Sequence, residues 1–282
     1  MLVEDGKLQV RQQPEPVPSF TKGEYSDASC LANTGVTPRV REEAMLFAAT
    51  FHRWLISLTV LVKFAWQVFR NAAFYRYPNN VEISERLGDL GFELIPRFPD
   101  PIAWLGDEPK RRMLIVLLIM IFAAFRGNKK GSVKPYAVNM GLRFTEMMAL
   151  GHTLRFMTYI ATTLPGAADH CFGDYDFFHE VWPSGKPTNA QEVWSRVPIG
   201  HPGTNCGDLI FSGHMLRTWA MWFVINRYSK ETFQMEKGPQ RLMMAIVTIA
   251  GIIQFPCVLA ARNHYSVDCV VACYVAPLLW HW

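Results

Sequence analysis

The sequence predicts an all-α polytopic membrane protein with six transmembrane helices, and three observations carry that prediction. Hydrophobic residues make up 50% of the 282 residues and charged residues only 18%, against about 25% charged in soluble domains. Leu242–Ala261 (LMMAIVTIAGIIQFPCVLAA) runs its whole length without a charge, and a spanning helix needs ~20 such residues. Leu114–Phe125 (LIVLLIMIFAAF) is apolar all round, unlike the one-sided stripe of a surface helix. A soluble protein with buried helices is the alternative these runs argue against.

The same composition excludes other classes. A chain with 13% aromatic residues is not a disordered one. Six cysteines in a chain of this length do not make a disulfide-dense scaffold. A net charge of +4 is too mild to imply a nucleic-acid partner.

In chain order, residues 1–44 read as a flexible cytosolic tail. They are polar, carry Pro14, Pro16, Pro18 and Pro38, and lack the basic start and apolar centre of a signal peptide. Residues 45–282 read as a six-span membrane catalytic domain. The first expected span, Leu46–Phe69, carries His52, Arg53 and Lys63. The second, Met113–Phe125, is short, and the cations Lys110, Arg111, Arg112 and Arg126 at its ends can snorkel to let it reach across. The third, Met140–Leu164, contains Arg143, Glu146, His152 and Arg155. The fourth, Leu209–Ile225, contains His214 and Arg217; the fifth is Leu242–Ala261; the sixth, Tyr265–Trp282, contains Asp268. Ionisable groups at membrane depth are costly and mark functional sites.

Loop charge sets the orientation. Residues 126–134 carry four cations (Arg126, Lys129, Lys130 and Lys134) and no acid. Residues 227–241 carry Arg227, Lys230, Lys237 and Arg241 against Glu231 and Glu236. The long loop 165–205 is acidic, with Asp169, Asp174, Asp176, Glu180 and Glu192 against Lys186 and Arg196. The positive-inside rule puts the first two in the cytosol and the third in the lumen or outside. Lys110-Arg111-Arg112 then falls on the lumenal side, against the rule.

Two segments carry chemistry: Cys206-Gly-Asp-Leu-Ile-Phe-Ser-Gly-His214 and His264-Tyr-Ser-Val-Asp268. Both open a span that runs from lumen to cytosol, so both helix N-termini face the same surface. Free N–H groups and the positive dipole end make such termini anion sites, and Ser212 and Gly213 offer a hydroxyl and an unobstructed backbone. His264 and Asp268, spaced i, i+4, share one face if helical. A carboxylate on one ring nitrogen sets the tautomer and raises the basicity of the other, as a nucleophilic histidine needs. His214, from another helix, suits general acid and base. Arg262 is placed to clamp phosphate oxygens. Together these residues point to phosphoryl transfer through a phosphohistidine, with no metal and no other cofactor. A zinc site from His170, Cys171, His201 and Cys206 lacks C-x-x-C spacing.

At these residues the sequence resembles the sphingomyelin synthase and inositol phosphorylceramide synthase family, within the type-2 phosphatidic acid phosphatase-like superfamily. C-G-D-x-x-x-S-G-H and H-Y-S-x-D are similar to its third and fourth motifs. Arg155-Phe-Met-Thr-Tyr-Ile-Ala-Thr-Thr-Leu-Pro165 is similar to the second, and Asp89-Leu-Gly-Phe-Glu-Leu94, more weakly, to the first. The resemblance covers residues 85–282 and implies six spans, a lumenal active site in the Golgi or plasma membrane, and ping-pong headgroup transfer. The donor would be phosphatidylcholine, phosphatidylethanolamine or phosphatidylinositol; the acceptor would be ceramide, and the second product diacylglycerol. It implies His264 as nucleophile, Asp268 as its orienting group, His214 as proton donor to the departing diacylglycerol, and Asp208 as a supporting residue. Arg155 would lie ~14 Å below Pro165 at 1.5 Å per residue, needing a partner such as Glu146 or a carbonyl. The Thr that often follows the third-motif histidine is Met215 here.

Partners expected are the two lipids and the bilayer, with a homo-oligomer left open. A lipid phosphate phosphatase using water is the alternative enzyme. Its first motif K-x6-R-P has only Lys63 to Arg70 as a match, followed by Asn71 in place of Pro. A non-enzymatic lipid-binding protein is the third reading. Cys171 and Cys206 bound the lumenal loop and are expected to pair there. Cys257, Cys269 and Cys273 read as small apolar residues within spans.

Overall fold

Runs of apolar residues with few glycines or prolines wind into helices, and every regular element of the chain's computed structural model is helical among the described residues. These are residues 38–76, 87–126, 136–168, 171, 189–195, 206–207 and 209–281. The first helices are α1 (Pro38–Ala49), α2 (Phe51–Thr59), a π-type continuation Val60–Val68, and α3 (Phe69–Arg76). A short α4 (Leu90–Leu94) and a 3₁₀ turn, Asp100–Asp107, lead into α5 (Glu108–Ala124). Then come α6 (Ala137–Ala161), α7 (Ala190–Ser195), α8 (Gly213–Phe233), α9 (Lys237–Ala260) and α10 (Ser266–His281).

The stretch expected as one first span is broken at Thr50, between α1 and α2. The Thr50 hydroxyl donates to the Leu46 carbonyl at 2.8 Å, a back-bond that bends helices. Helix α1, which starts at Pro38, also reaches α6. Glu43 is buried and accepts the free N–H groups of Ala137 (2.7 Å) and Val138 (2.9 Å), capping α6 from another helix.

Helix α8 is the centre of the bundle. Its buried Met215, Leu216, Ala220, Met221, Val224 and Ile225 pack on Met113, Leu117 and Met120 of α5 and on Met140, Met147 and Met148 of α6. Val247, Val258 and Leu259 of α9, with Cys269, Ala272 and Ala276 of α10, complete the shell. Small residues at the contacts let the helices approach closely, so dispersion holds them. The outer faces are apolar too: Leu114, Ile115, Leu118 and Phe122 on α5, and Leu242, Ile246, Ile249 and Ile252 on α9, are exposed. By length and composition α9 is long and apolar enough to cross a membrane.

Several polar and charged groups of the bundle find partners on other helices. Arg53 holds Glu146 with two bonds of 2.7 and 2.9 Å. Arg143 donates to the Trp280 carbonyl at 2.9 Å. Gln254, midway along α9 and fully buried, donates to the Gly106 carbonyl (2.6 Å) and accepts the Lys110 N–H (2.8 Å). It ties the start of α5 to α9 and thereby fixes the turn that carries Asp107.

Candidate active site

The N-termini of α8 and α10 lie side by side, joined by a backbone bond from the Ser212 N–H to the Asp268 carbonyl at 2.9 Å. Ser212 is the N-cap of α8, its hydroxyl accepting the Met215 N–H at 3.3 Å. His214 is the second residue of that helix. His264 precedes α10, whose first residue is Ser266, so its pairing with Asp268 is not that of two residues on one helical face. Asp268, third in the helix, folds back as a capping box does: its Oδ2 accepts the Tyr265 N–H at 3.0 Å and meets His264 Nδ1 at 3.3 Å. The first turn of a helix also favours a carboxylate there.

The two imidazoles meet directly, His264 Nε2 to His214 Nδ1 at 3.2 Å, with ring planes at 71°. The far nitrogen of His214, Nε2, meets Asp107 Oδ1 at 3.1 Å. Lys110 Nζ donates to the same carboxylate oxygen at 2.7 Å. The site is thus two His–Asp pairs facing each other, 268–264 and 107–214, with Lys110 behind the second. His264 and Asp268 are sealed, while 18% of the His214 side chain is open.

Each of the contacts Asp268–His264, His264–His214 and His214–Asp107 is spanned by a proton on one ring nitrogen, and the tautomers follow from those partners. The two carboxylates face the outer nitrogens of the pair, and Lys110 adds a positive charge behind Asp107. Burial alone would push the Asp107 carboxyl up, but hydrogen bonds and charge from His214 and Lys110 hold it well below the ordinary carboxylate range. Such an array can present an unprotonated Nε2 on His264 beside a proton donor on His214.

Asp107 and Lys110 were not singled out from sequence. The signal was there: the Lys110-Arg111-Arg112 cluster, on the side expected to be lumenal and so against the positive-inside rule, and an acid just before it. Lys110 is buried with its ammonium on Asp107.

Arg155, 8% exposed, donates Nε to the Phe211 carbonyl in a short hydrogen bond, a carbonyl partner rather than Glu146. Its guanidinium lies against Gly213, where a Cβ would come within 2.8 Å of Nη1. Glycine here admits the cation beside His214. Arg262 has its guanidinium on the carbonyls of Leu259 (3.0 Å), Phe92 (3.3 Å) and Ile95 (3.3 Å), and 4.2 Å above the Phe92 ring. Those contacts anchor the turn before His264. Asp208 lies outside the described residues. Cys171 and Cys206 form a disulfide whose Cα atoms are 5.6 Å apart. Among the described residues no group of three or more His, Cys, Asp and Glu side chains is placed to hold a metal ion.

Residues 205–282 match the family model of the PAP2 superfamily C-terminal domain. The chain is 30% identical over 193 residues to a phosphatidylinositol:ceramide inositolphosphotransferase 2 of Arabidopsis thaliana, covering 68% of this chain and 58% of that protein. It is 28% identical over 229 residues to the human sphingomyelin synthase-related protein 1, covering 80% and 50%. To a phosphatidylcholine:ceramide cholinephosphotransferase 2 of Rattus norvegicus it is 35% identical over 148 residues, covering 51% and 38%. The chain therefore spans about half the length of these relatives. These matches bear out the family resemblance read from the motifs.

Proposed function

We propose that this chain is a ceramide phospho-headgroup transferase, working through a phosphohistidine at the lumenal face of a six-span membrane domain over residues 45–282, with residues 1–44 as a cytosolic tail. The observation that carries the reading is the direct meeting of two His–Asp pairs, His264 Nε2 to His214 Nδ1 at 3.2 Å. The phosphate of a glycerophospholipid replaces that bond on entering. His264 Nε2 attacks phosphorus, the bond to the diacylglycerol oxygen breaks, and His214 Nδ1–H gives that oxygen its proton. Diacylglycerol leaves, and the headgroup stays on the phosphohistidine. The ceramide primary hydroxyl then attacks phosphorus while His214 takes its proton. The P–N bond breaks with its electron pair returning to Nε2. Two in-line displacements retain configuration at phosphorus. Asp268 and Asp107 each hold the ring proton on the nitrogen that does not react, as the acid of a catalytic triad does. Arg155 beside Gly213 supplies charge for the phosphate oxygens.

A membrane setting is supported by the exposed apolar residues of α5, α9 and α10 and by the length and composition of α9. The disulfide at the entrance to the third motif favours an oxidising compartment, hence the lumenal or extracellular face of the Golgi or plasma membrane. The names of the relatives divide between inositol and choline headgroups, so the donor is left to experiment.

The test uses purified protein in liposomes with fluorescent ceramide and, separately, phosphatidylcholine, phosphatidylethanolamine and phosphatidylinositol. A ceramide phospho-headgroup product that disappears in His264→Ala is expected and names the donor. Release of phosphate or phospho-alcohol to water, with no ceramide product, would make the protein a lipid phosphatase instead.

A further inference from the structure

The stretch Asp89–Leu94, similar to a first motif, has no part in the chemistry just described. The structure gives it a different task. Asp89 Oδ1 accepts the Phe92 N–H at 3.1 Å, capping α4, and the Ser266 hydroxyl at 2.7 Å. Asp89 Oδ2 accepts the Ser266 N–H at 2.7 Å. Ser266 is the first residue of α10, and its N–H is one of the donors a helix leaves without an internal partner. One carboxylate thus caps two helices, α4 in its own segment and α10 from a distance of 177 residues. Ser266 stands two residues from His264 and two from Asp268.

The surrounding segment is laced to the same turn. Phe92 packs on Tyr265 with ring centroids 5.4 Å apart. The Leu87 N–H donates to the Tyr265 hydroxyl at 3.4 Å, and the Phe98 N–H to the Ala260 carbonyl at 2.8 Å. Arg262, in the left-handed region at φ 53, is held by the Phe92 and Ile95 carbonyls. A non-glycine residue there costs on the order of 1 kcal/mol and persists only where its surroundings over-determine it. Gly91 lies so close that a Cβ would fall 2.1 Å from Ser266 Oγ and 2.7 Å from Leu259 Cδ1. The segment is fitted to the His264 turn and not to open space.

We infer that Asp89 is a positioning residue: it holds Ser266, and through Ser266 it sets His264 against His214 and Asp268. It touches no reacting atom. The inference rests on the proposed transferase reading for its kinetic readout, so a second readout is independent of turnover. In the assay above, Asp89→Ala is expected to lower kcat about 10- to 100-fold, the range found when the partner that orients a metal-ligating histidine is removed, with KM for both lipids within about twofold. Ser266→Ala, which keeps the backbone bond to Oδ2, is expected to lose less. The double variant is expected to be no slower than Asp89→Ala, because both remove the same hydroxyl bond.

The independent readout is the ¹⁵N spectrum of histidine-labelled protein in detergent. His264 signals, assigned by their loss in His264→Ala, are expected to move in Asp89→Ala, while those of the exposed His281 stay. Should Asp89→Ala not fold, Asp89→Asn keeps the shape, retains one acceptor, and is expected to give the same changes at smaller amplitude. Lowered thermal stability with unchanged kcat and unmoved His264 signals would overturn the inference. If the wild-type protein transfers no headgroup yet the His264 signals move, the transferase reading fails and the positioning role stands.

Discussion

Replacing Asp107 by Asn keeps the side chain's size and one acceptor while removing its charge from His214 Nε2, 3.1 Å away. A unit charge pair at that distance is worth about 5 kcal/mol at an effective dielectric near 20. The Asp107 side chain is 32% exposed, and water screens part of this, leaving roughly 2–3 kcal/mol of interaction with positive charge on the His214 ring. In the proposed reaction His214 carries that charge on either side of its proton transfers with diacylglycerol and ceramide, so kcat is expected to fall on the order of 100-fold at ~1.4 kcal/mol per decade. Steady-state transfer to fluorescent ceramide from whichever donor the liposome assay names measures it, with KM recorded alongside. A second readout has a fixed sign. The carboxyl is held below its ordinary value, so its contribution to stability is fully present above the unfolded pKa of ~3.9 and is lost only as pH falls below that. The stability gap between wild type and Asp107→Asn should therefore be constant from about pH 8 to 5 and close below about pH 4. A kcat within about threefold of wild type, well short of the expected loss, would refute the argument that Asp107 sustains the proton on His214.

Gly213→Ala should push the Arg155 guanidinium from its seat, since the new Cβ would stand 2.8 Å from Nη1. Overpacking of this kind costs ~1–3 kcal/mol; transfer activity should fall about tenfold or more, while Gly238→Ala, with nothing within 4 Å of its Cβ, leaves it unchanged. Gln254→Leu strands the Lys110 N–H and the Gly106 carbonyl, so thermal or denaturant unfolding should show a loss of roughly 2–4 kcal/mol, and an unchanged midpoint would remove Gln254 from the account. Cys171→Ser opens a loop closed over 35 residues; the chain-entropy relation gives ~4 kcal/mol, read as a lower unfolding midpoint that wild-type protein reproduces when reduced.

The residues of the proposed transfer chemistry stand out in the sequence because they are residue types at short spacing. His264 and Asp268 lie four apart, and His214 opens an apolar helix two residues after its cap. The helical class followed equally from local facts, since runs such as Leu242–Ala261 leave backbone groups no other way to be satisfied in an apolar setting. The pairing of Cys171 with Cys206 followed from the charge of the loop between them. Even so, one local inference had the right partners for the wrong reason. Asp268 reaches His264 by capping its own helix, because the turn at Arg262 delays the start of α10 to Ser266.

Contacts between segments far apart in the chain were not readable from its sequence. Asp107 meets His214, Asp89 meets Ser266, Arg53 meets Glu146, and Gln254 meets Gly106 and Lys110. Each is a polar side chain whose partner lies tens to hundreds of residues away, and no periodicity records such a pairing. It is set by which helix faces α8 and at what height, and packing of the whole bundle determines that. Local sequence was enough for the two histidines, for Asp268 four residues after His264, and for the apolar helices they adjoin. Which carboxylate faces His214 came from the fold, because a buried charge must find a partner and only the assembled bundle shows which one is within reach.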